Sequence, residues 1–144
     1  MIANPYSQYR DVQIQTASPG RLLVMLYDGA IRFCNDAKRG IAANDPRATY
    51  EGLRRAQDIL DHLTATLDMG AGEIARNLAS LYEFMGRRLL EANLRRDTQA
   101  IDDVIGLLQT VRSAYAEITA PAVKPGPATA PAAGTIAHAV SNLG

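Results

Sequence analysis

The sequence has no net charge, one cysteine and no long apolar run, and each of these absences excludes a class of protein. Fifteen Lys plus Arg balance fifteen Asp plus Glu, so no overall charge draws the chain to nucleic acid or acidic lipid. Cys34 alone cannot form an internal disulfide, and the N-terminus lacks the basic-then-apolar pattern of a secretory signal. No apolar run approaches the roughly 20 residues that cross a bilayer. We therefore expect a protein of the cytosol without membrane insertion.

Residues that could carry chemistry are equally scarce. His62 and His138 have no metal-ligand partners at suitable spacing, and the Glu-x-x-His arrangement of carboxylate-bridged metal bundles is absent. Cys34 lies in an apolar stretch, where a buried, inert thiol is more common than a nucleophile. We expect no metal, no cofactor and no enzymatic activity, although an enzyme built from unremarkable residues stays open as an alternative.

Three arginine doublets raise the question of a phosphate-binding patch. They are Arg54-Arg55, Arg87-Arg88 and Arg95-Arg96, and together they would attract a nucleic acid. Acidic residues three or four positions away favour pairing along each helix instead. These acidic residues are Glu51, Asp58, Asp61, Glu83 and Glu91. We therefore expect no nucleic-acid partner.

The sequence contains clear helix start and stop signals. Prolines follow cap residues at Asn4-Pro5, Ser18-Pro19 and Asp45-Pro46, and Asp97-Thr98 is a fourth cap without proline. Such side chains accept hydrogen bonds from the first turn, and proline at the first helical position loses none. The predicted breaks lie at 40–44, at Gly70 and Gly72, and at Arg95-Arg96.

Apolar residues recur at helical spacing between these signals, and no strand alternation is present. The three predicted core stripes contain Leu53, Ala56, Ile59, Leu60, Leu63 and Leu67; Ile74, Leu78, Leu81, Tyr82, Met85 and Leu89; and Ile101, Val104, Ile105, Leu108, Val111, Tyr115 and Ile118. Long helices joined by short loops pack as antiparallel neighbours. The sequence predicts an all-α, up-down four-helix bundle over residues 18–120, with a short helical cap at 1–17 and a flexible tail at 121–144.

The first long helix is apolar on nearly every side. Six apolar residues, 22–27, follow one another, whereas one face of a bundle uses only a third to a half of a helix circumference. Something must cover the remainder: the N-terminal segment, a partner or a second copy. Tyr6 and Tyr9 suit a displaceable lid, because their rings are apolar and their hydroxyl tips are polar.

The last 24 residues change composition. The stretch PAVKPGPATAPAAG cannot bury enough apolar surface to offset its ordering entropy and predicts an extended linker. Beyond it, Ile136, Val140 and Leu143 fall at i, i+4 and i+7, a weak amphipathic pattern that could dock in a groove of the bundle.

Several separate segments share one resemblance. Thr16-Ala17-Ser18-Pro19, Leu22-Leu23 and Leu26-Tyr27-Asp28-Gly29-Ala30-Ile31 resemble the signature of the flagellar export chaperone family FliS. Further segments agree in order: Ala56-Gln57-Asp58-Ile59, Leu63, Leu67-Asp68, Asn77-Leu78, Leu81-Tyr82 and Arg88-Leu89-Leu90-Glu91-Ala92-Asn93. Coverage runs from about Tyr9 to Ile118. Tyr115 stands where the resemblance leads us to expect tryptophan, and the Ala/Pro tail lies outside the pattern.

The resemblance implies a cytosolic chaperone. Such a protein binds the C-terminal segment of flagellin, prevents premature polymerisation and, while loaded, meets a component of the flagellar type III export gate. Without its client it is expected to be a monomer or a weak homodimer. The alternative is a homodimeric helical interaction or regulatory module, in which the spare apolar face of the first helix pairs with its own copy.

The candidate client contacts lie in three regions: the predicted lid, the first helix, and polar or apolar positions of the next two helices. On a helix so uniformly apolar, phase alone does not separate core from contact, and we assign Leu23, Leu26 and Phe33 to the core. The predicted partner-binding residues are Tyr6, Tyr9, Leu22, Met25, Tyr27, Asp28, Ala30, Gln57, Leu60, Leu63, Asn77, Leu81, Tyr82 and Asn93.

Overall fold

The described part of the chain is entirely helical. The computed structural model describes the backbone of residues 19–119 and the side chains of residues 20–117. Four α-helices follow one another: α1 (Pro19–Ala42), α2 (Pro46–Ala65), α3 (Glu73–Arg95) and α4 (Thr98–Thr119). One 3₁₀ turn, Met69–Ala71, precedes α3. The predicted cap at 1–17 and the tail at 121–144 lie outside the described residues.

Most helix boundaries fall at the predicted signals. Asp45 caps α2, where its side chain accepts a hydrogen bond from the backbone N–H of Ala48 at 3.1 Å. Asp97 caps α4 by accepting from the N–H groups of Gln99 and Ala100 at 3.0 and 3.3 Å. The third helix ends at Arg95, and the next residue adopts the left-handed conformation.

The helices form a square in which neighbours run antiparallel. Both α1 and α3 pack against α2 and against α4, so α1 and α3 lie on a diagonal. This arrangement confirms the predicted up-down four-helix bundle. Within it, α1 and α2 approach each other closely: a Cβ atom at Gly52 would lie 2.7 Å from the carbonyl oxygen of Phe33 and 2.8 Å from the backbone nitrogen of Ala37.

A single apolar core fills the square. Its buried residues come from all four helices and include most of the predicted stripes; Ile74, in the first turn of α3, is an exception and is exposed. The core consists of Tyr27, Ala30, Cys34, Ala37, Leu53, Ala56, Leu60, Leu63, Leu78, Leu81, Tyr82, Met85, Leu89, Ala92, Ala100, Ile101, Val104, Leu108, Val111 and Ala114. Cys34 is fully buried, as expected, and burial raises the pKa of its thiol to about 12.

The assignment of the core face on α1 needs correction. Leu23, Leu26 and Phe33 were expected at its centre, but they are partly buried on its flanks. The fully buried face is Tyr27, Ala30, Cys34 and Ala37. Three of these residues, Ala30, Cys34 and Ala37, have small side chains that let α2 and α4 approach α1 closely. The spacing of apolar residues along a helix does not distinguish small side chains from large ones.

Ion pairs on the outside join neighbouring helices. Asp28 on α1 pairs with Arg112 on α4, and Lys38 pairs with Asp102 at 2.6 Å. Arg88 links α3 to α4 through Asp103 at 2.6 Å. Hydrogen bonds from Gln99 and then Arg88 lower the pKa of the Asp103 carboxyl below its usual value. Such partly exposed pairs contribute little to stability individually, and they join helices that the core already holds side by side.

Candidate functional site: the groove between α2 and α3

The second and third helices leave an open groove between them. Residues of both helices line two adjoining depressions that share Gln57 and Leu90. The buried floor includes Leu53, Leu60, Tyr82 and Leu89. We call this surface the α2–α3 groove; its lining is Tyr50, Leu53, Arg54, Gln57, Asp58, Leu60, Asp61, Thr64 and Ala65 on α2, and Ala79, Tyr82, Glu83, Gly86, Arg87, Leu89, Leu90 and Asn93 on α3.

A glycine keeps the groove open at its middle. A Cβ atom at Gly86 would lie 3.1 Å from Nε2 and 3.2 Å from Oε1 of Gln57, and its three nearest neighbours would all be atoms of that side chain. The Gln57 amide in turn donates to the Asp61 carboxylate at 3.0 Å, one turn along α2. Because Gly86 projects no side chain, the two helices leave space for atoms that belong to neither.

Large apolar side chains are exposed on both sides of the groove, with Tyr50 on α2 and Leu90 on α3, and Leu94 lies just beyond the lining. Leu90 is 59% exposed, Tyr50 is 47% exposed, and Leu94, one helical turn beyond Leu90, is 72% exposed. Leu90 and Leu94 share a face of α3 because they are four residues apart. A single exposed leucine is ordinary, but apolar side chains grouped beside a groove indicate a binding surface.

The charges on the α2 rim are paired with one another. Arg54 donates to Glu51 at 2.9 Å and to Asp58 at 3.0 Å, which confirms the predicted local pairing for this doublet. The hydrogen bond from Arg54 is the main reason that the pKa of Glu51 lies below its usual value. A ligand therefore meets an apolar floor beside an Arg54 that is already paired, with Asp61, Glu83 and Arg87 also in the lining. Burial of apolar surface against this floor is its principal means of attachment.

The structure brings four of the predicted contact residues together in the groove. Gln57 and Asn93 are accessible on its walls, while Leu60 and Tyr82 form part of its nearly closed floor. Their role in binding stays a prediction. Gly86, Leu90 and Leu94 were missed, although the doublet Leu89-Leu90 carried a signal. Consecutive helix residues point in different directions, so the second leucine of a doublet is a candidate for the edge of the buried face.

The remaining predicted contact residues lie elsewhere. Ala30, Leu63 and Leu81 belong to the core, as does Tyr27, and they are accessible only if the bundle opens. Asp28 is exposed but paired with Arg112, Leu22 and Met25 are partly buried on α1, and Asn77 is partly buried on α3. Tyr6 and Tyr9 lie outside the described residues.

Two buried tyrosines connect the groove floor to the opposite helix. The hydroxyls of Tyr27 and Tyr82 lie 2.5 Å apart and join α1 to α3 across the diagonal. Tyr115 stacks on Tyr27 with ring centroids 5.9 Å apart. Burial raises the pKa of Tyr82 to about 12 and that of Tyr27 higher still, so both hydroxyls are neutral near pH 7. The contact is a hydrogen bond between neutral groups.

We expect Tyr27→Phe and Tyr82→Phe each to lower the free energy of unfolding by about 1–2 kcal/mol, because each leaves a buried hydroxyl without its partner. The double substitution should cost about as much as one single substitution, since it leaves neither hydroxyl behind. Urea unfolding of the four proteins in a double-mutant cycle measures this coupling. Strictly additive losses would show that the two hydroxyls do not depend on each other.

Among the described residues, no group of three or more His, Cys, Asp or Glu side chains could hold a metal ion. None of the helices between residues 19 and 119 is both long and apolar enough to cross a membrane.

Comparison with known proteins places the bundle in a family. The sequence model of the family described as "Flagellar protein FliS" matches residues 2–122. The flagellar secretion chaperone FliS of Salmonella typhimurium is 44% identical over 108 residues, which cover 74% of this chain and 80% of that protein. The chain belongs to the FliS family of flagellar secretion chaperones. Membership of this family confirms the resemblance found in the sequence, and it agrees with the expectation that the protein is a chaperone and not an enzyme.

Other members of the FliS family match over a similar extent. The FliS chaperone of Bacillus subtilis is 35% identical over 114 residues, or 79% of this chain and 85% of that protein. FliSB of Pseudomonas aeruginosa is 34% identical over 113 residues, covering 75% of this chain and 90% of that protein. The FliS match thus includes all four helices and ends at residue 122, before most of the Ala/Pro-rich tail.

Proposed function

We propose that this protein binds the C-terminal segment of flagellin in the bacterial cytosol, prevents its premature polymerisation and delivers it to the flagellar type III export gate. The observation that carries the proposal is the α2–α3 groove, an apolar trough with exposed leucines on its edge. The names of the FliS relatives as flagellar secretion chaperones support the same conclusion.

The groove has the properties that an amphipathic helix requires. Leu90 and Leu94 lie one turn apart, which matches the spacing of apolar residues along a helix laid in a groove. Covering both would remove apolar surface from water and contribute on the order of 1 kcal/mol each. A filament subunit whose terminal helix is held in this way cannot use that helix to contact a neighbouring subunit. Release requires only that a better partner take the helix, without nucleotide hydrolysis by the carrier.

Calorimetric titration with the C-terminal half of the host's flagellin tests the proposal. We expect a 1:1 complex with a negative heat-capacity change, because apolar surface is buried on binding. Leu90→Asp should weaken binding at least tenfold, since a carboxylate would be desolvated in the groove. Ile74→Asp is the matched control: Ile74 is also an exposed apolar residue of α3, but it does not line the groove.

Size-exclusion chromatography with mass analysis separates the chaperone from the alternative. A monomer that gains one flagellin chain supports the proposal. A tight dimer that persists on dilution and binds no flagellin would refute it and favour a homodimeric interaction module.

A further inference from the structure

Residues 136–143 carry apolar side chains at a spacing that suits the α2–α3 groove. Ile136, Val140 and Leu143 are spaced at i, i+4 and i+7, which is the spacing of helical anchors that enter an apolar groove. Apart from His138, residues 125–144 contain only neutral side chains. We propose that this segment, residues 136–143, occupies the α2–α3 groove of its own chain when no client is bound.

Charge supports this choice of occupant. The α2 rim pairs its own charges through Arg54, Glu51 and Asp58, and Gln57 donates to Asp61. A charged ligand would have to compete with these contacts, whereas a neutral segment with three apolar anchors leaves the pairs of Arg54 intact. Beside Gly86, the three atoms nearest to a would-be Cβ atom all belong to the end of the Gln57 side chain. An apolar anchor that enters there shifts this amide, which can reorient about its side-chain bonds.

The length of chain after α4 is sufficient to reach the groove. In an up-down bundle, the end of α4 at Thr119 lies at the same end as Ala65 and Glu73, where the groove between α2 and α3 opens. The proline-rich connection from Thr119 to Ile136 spans up to about 50 Å at roughly 3.1 Å per residue. The 20 residues of α2 extend for only about 30 Å. The anchors can therefore reach any part of the groove.

Tethering favours the tail over a second copy of the chain. A segment on a connection of this length experiences an effective concentration on the order of 1 mM, well above that of a separate molecule at micromolar concentration. So short a helix is marginal by itself, and its docking is accordingly weak and reversible. The FliS match ends at residue 122, so this occupant lies in a part of the chain beyond the family's matched region.

Docking of the tail lowers the affinity for a client. When the groove is open only part of the time, the apparent dissociation constant rises in inverse proportion to the open fraction. We expect a reduction in client affinity of about three- to tenfold, enough to reject weak, non-cognate helices. This consequence rests on the function proposed above, whereas the docking itself does not.

Docking is tested on the full-length protein without any client. The variant Ile136→Ser/Val140→Ser/Leu143→Ser removes the anchors, and Ala132→Ser/Ala133→Ser/Ala137→Ser is a matched control with three serines at other tail positions. Methyl NMR spectra should show shifted resonances of Leu60 and Leu90 in the anchor variant alone, with Leu108 in α4 unchanged. Unchanged Leu60 and Leu90 resonances in the anchor variant would overturn the proposal.

Calorimetry with the C-terminal half of flagellin then tests the competition. The anchor variant should bind about three- to tenfold more tightly than the wild type, and the control variant should match the wild type. Shifted methyl resonances with equal affinities would overturn the competition. Flagellin binding without any methyl shift would overturn tail docking and leave the proposed function intact, whereas methyl shifts with no flagellin binding by any variant would establish docking and refute that function.

Discussion

Gly52→Ala will lower the free energy of unfolding by about 2–3 kcal/mol, although alanine is the better helix former. The added Cβ atom would lie 2.7 Å from the Phe33 carbonyl oxygen and 2.8 Å from the Ala37 nitrogen. Both are backbone atoms of α1, so no side chain can rotate away. The helices must separate, and the core contacts along the α1–α2 interface are weakened with them. Urea unfolding followed by circular dichroism measures the loss.

Gly106→Ala is the matched control for this prediction. Gly106 lies inside α4 with nothing within 4 Å of its would-be Cβ atom. The same substitution should therefore raise the free energy of unfolding by roughly 0.5–1 kcal/mol, through helix propensity alone. If both variants were stabilised equally, the close approach of α1 and α2 at Gly52 would be wrong.

The second large effect concerns binding. Gly86→Leu should weaken the affinity for the C-terminal half of flagellin at least 100-fold, about 2.7 kcal/mol, because the new side chain fills the α2–α3 groove over Leu60, Tyr82 and Leu90. The bundle itself should be as stable as the wild type or more so. The three atoms nearest to the added Cβ belong to the Gln57 amide end, which can move, and leucine has the higher helix propensity. Calorimetric titration and urea unfolding together provide the two readouts.

Gly106→Leu makes the same chemical change on an open surface of α4 and should leave flagellin affinity unchanged. Loss of binding without loss of stability is a combination that a folding defect cannot produce. Wild-type affinity in Gly86→Leu would mean that the client does not enter the α2–α3 groove, and attention would move to the surface of α1.

Gly52 and Gly86 have opposite roles in the spacing between neighbouring helices. On one side of α2, Gly52 allows α1 to come into backbone contact. On its other side, the atoms nearest to a would-be Cβ of Gly86 on α3 belong to the end of the Gln57 side chain and not to a backbone, and a trough remains. Filling the first position damages the fold, whereas filling the second should damage only binding. The chain thereby separates the interface that holds the bundle together from the one that we propose for its client.

The sequence by itself determined the number, type and order of the helices. Asp45 before Pro46, and Asp97, specify where α2 and α4 begin, because capping depends on local chemistry that is independent of the tertiary structure. The stripes of α2 and α4 likewise predicted the buried faces, since polar residues on the other sides left one orientation. The FliS resemblance was also visible at this level.

Only the tertiary structure decided which apolar residues are inside. On α1, where residues 22–27 are all apolar, the buried face is set by the small residues Ala30, Cys34 and Ala37, which let two neighbouring helices close in. The α2–α3 groove depends on the distance between the axes of two helices, and Leu90 is exposed because of that distance. Helical periodicity indicates which side of its helix a residue faces, and it contains no information on the distance to the neighbouring helix.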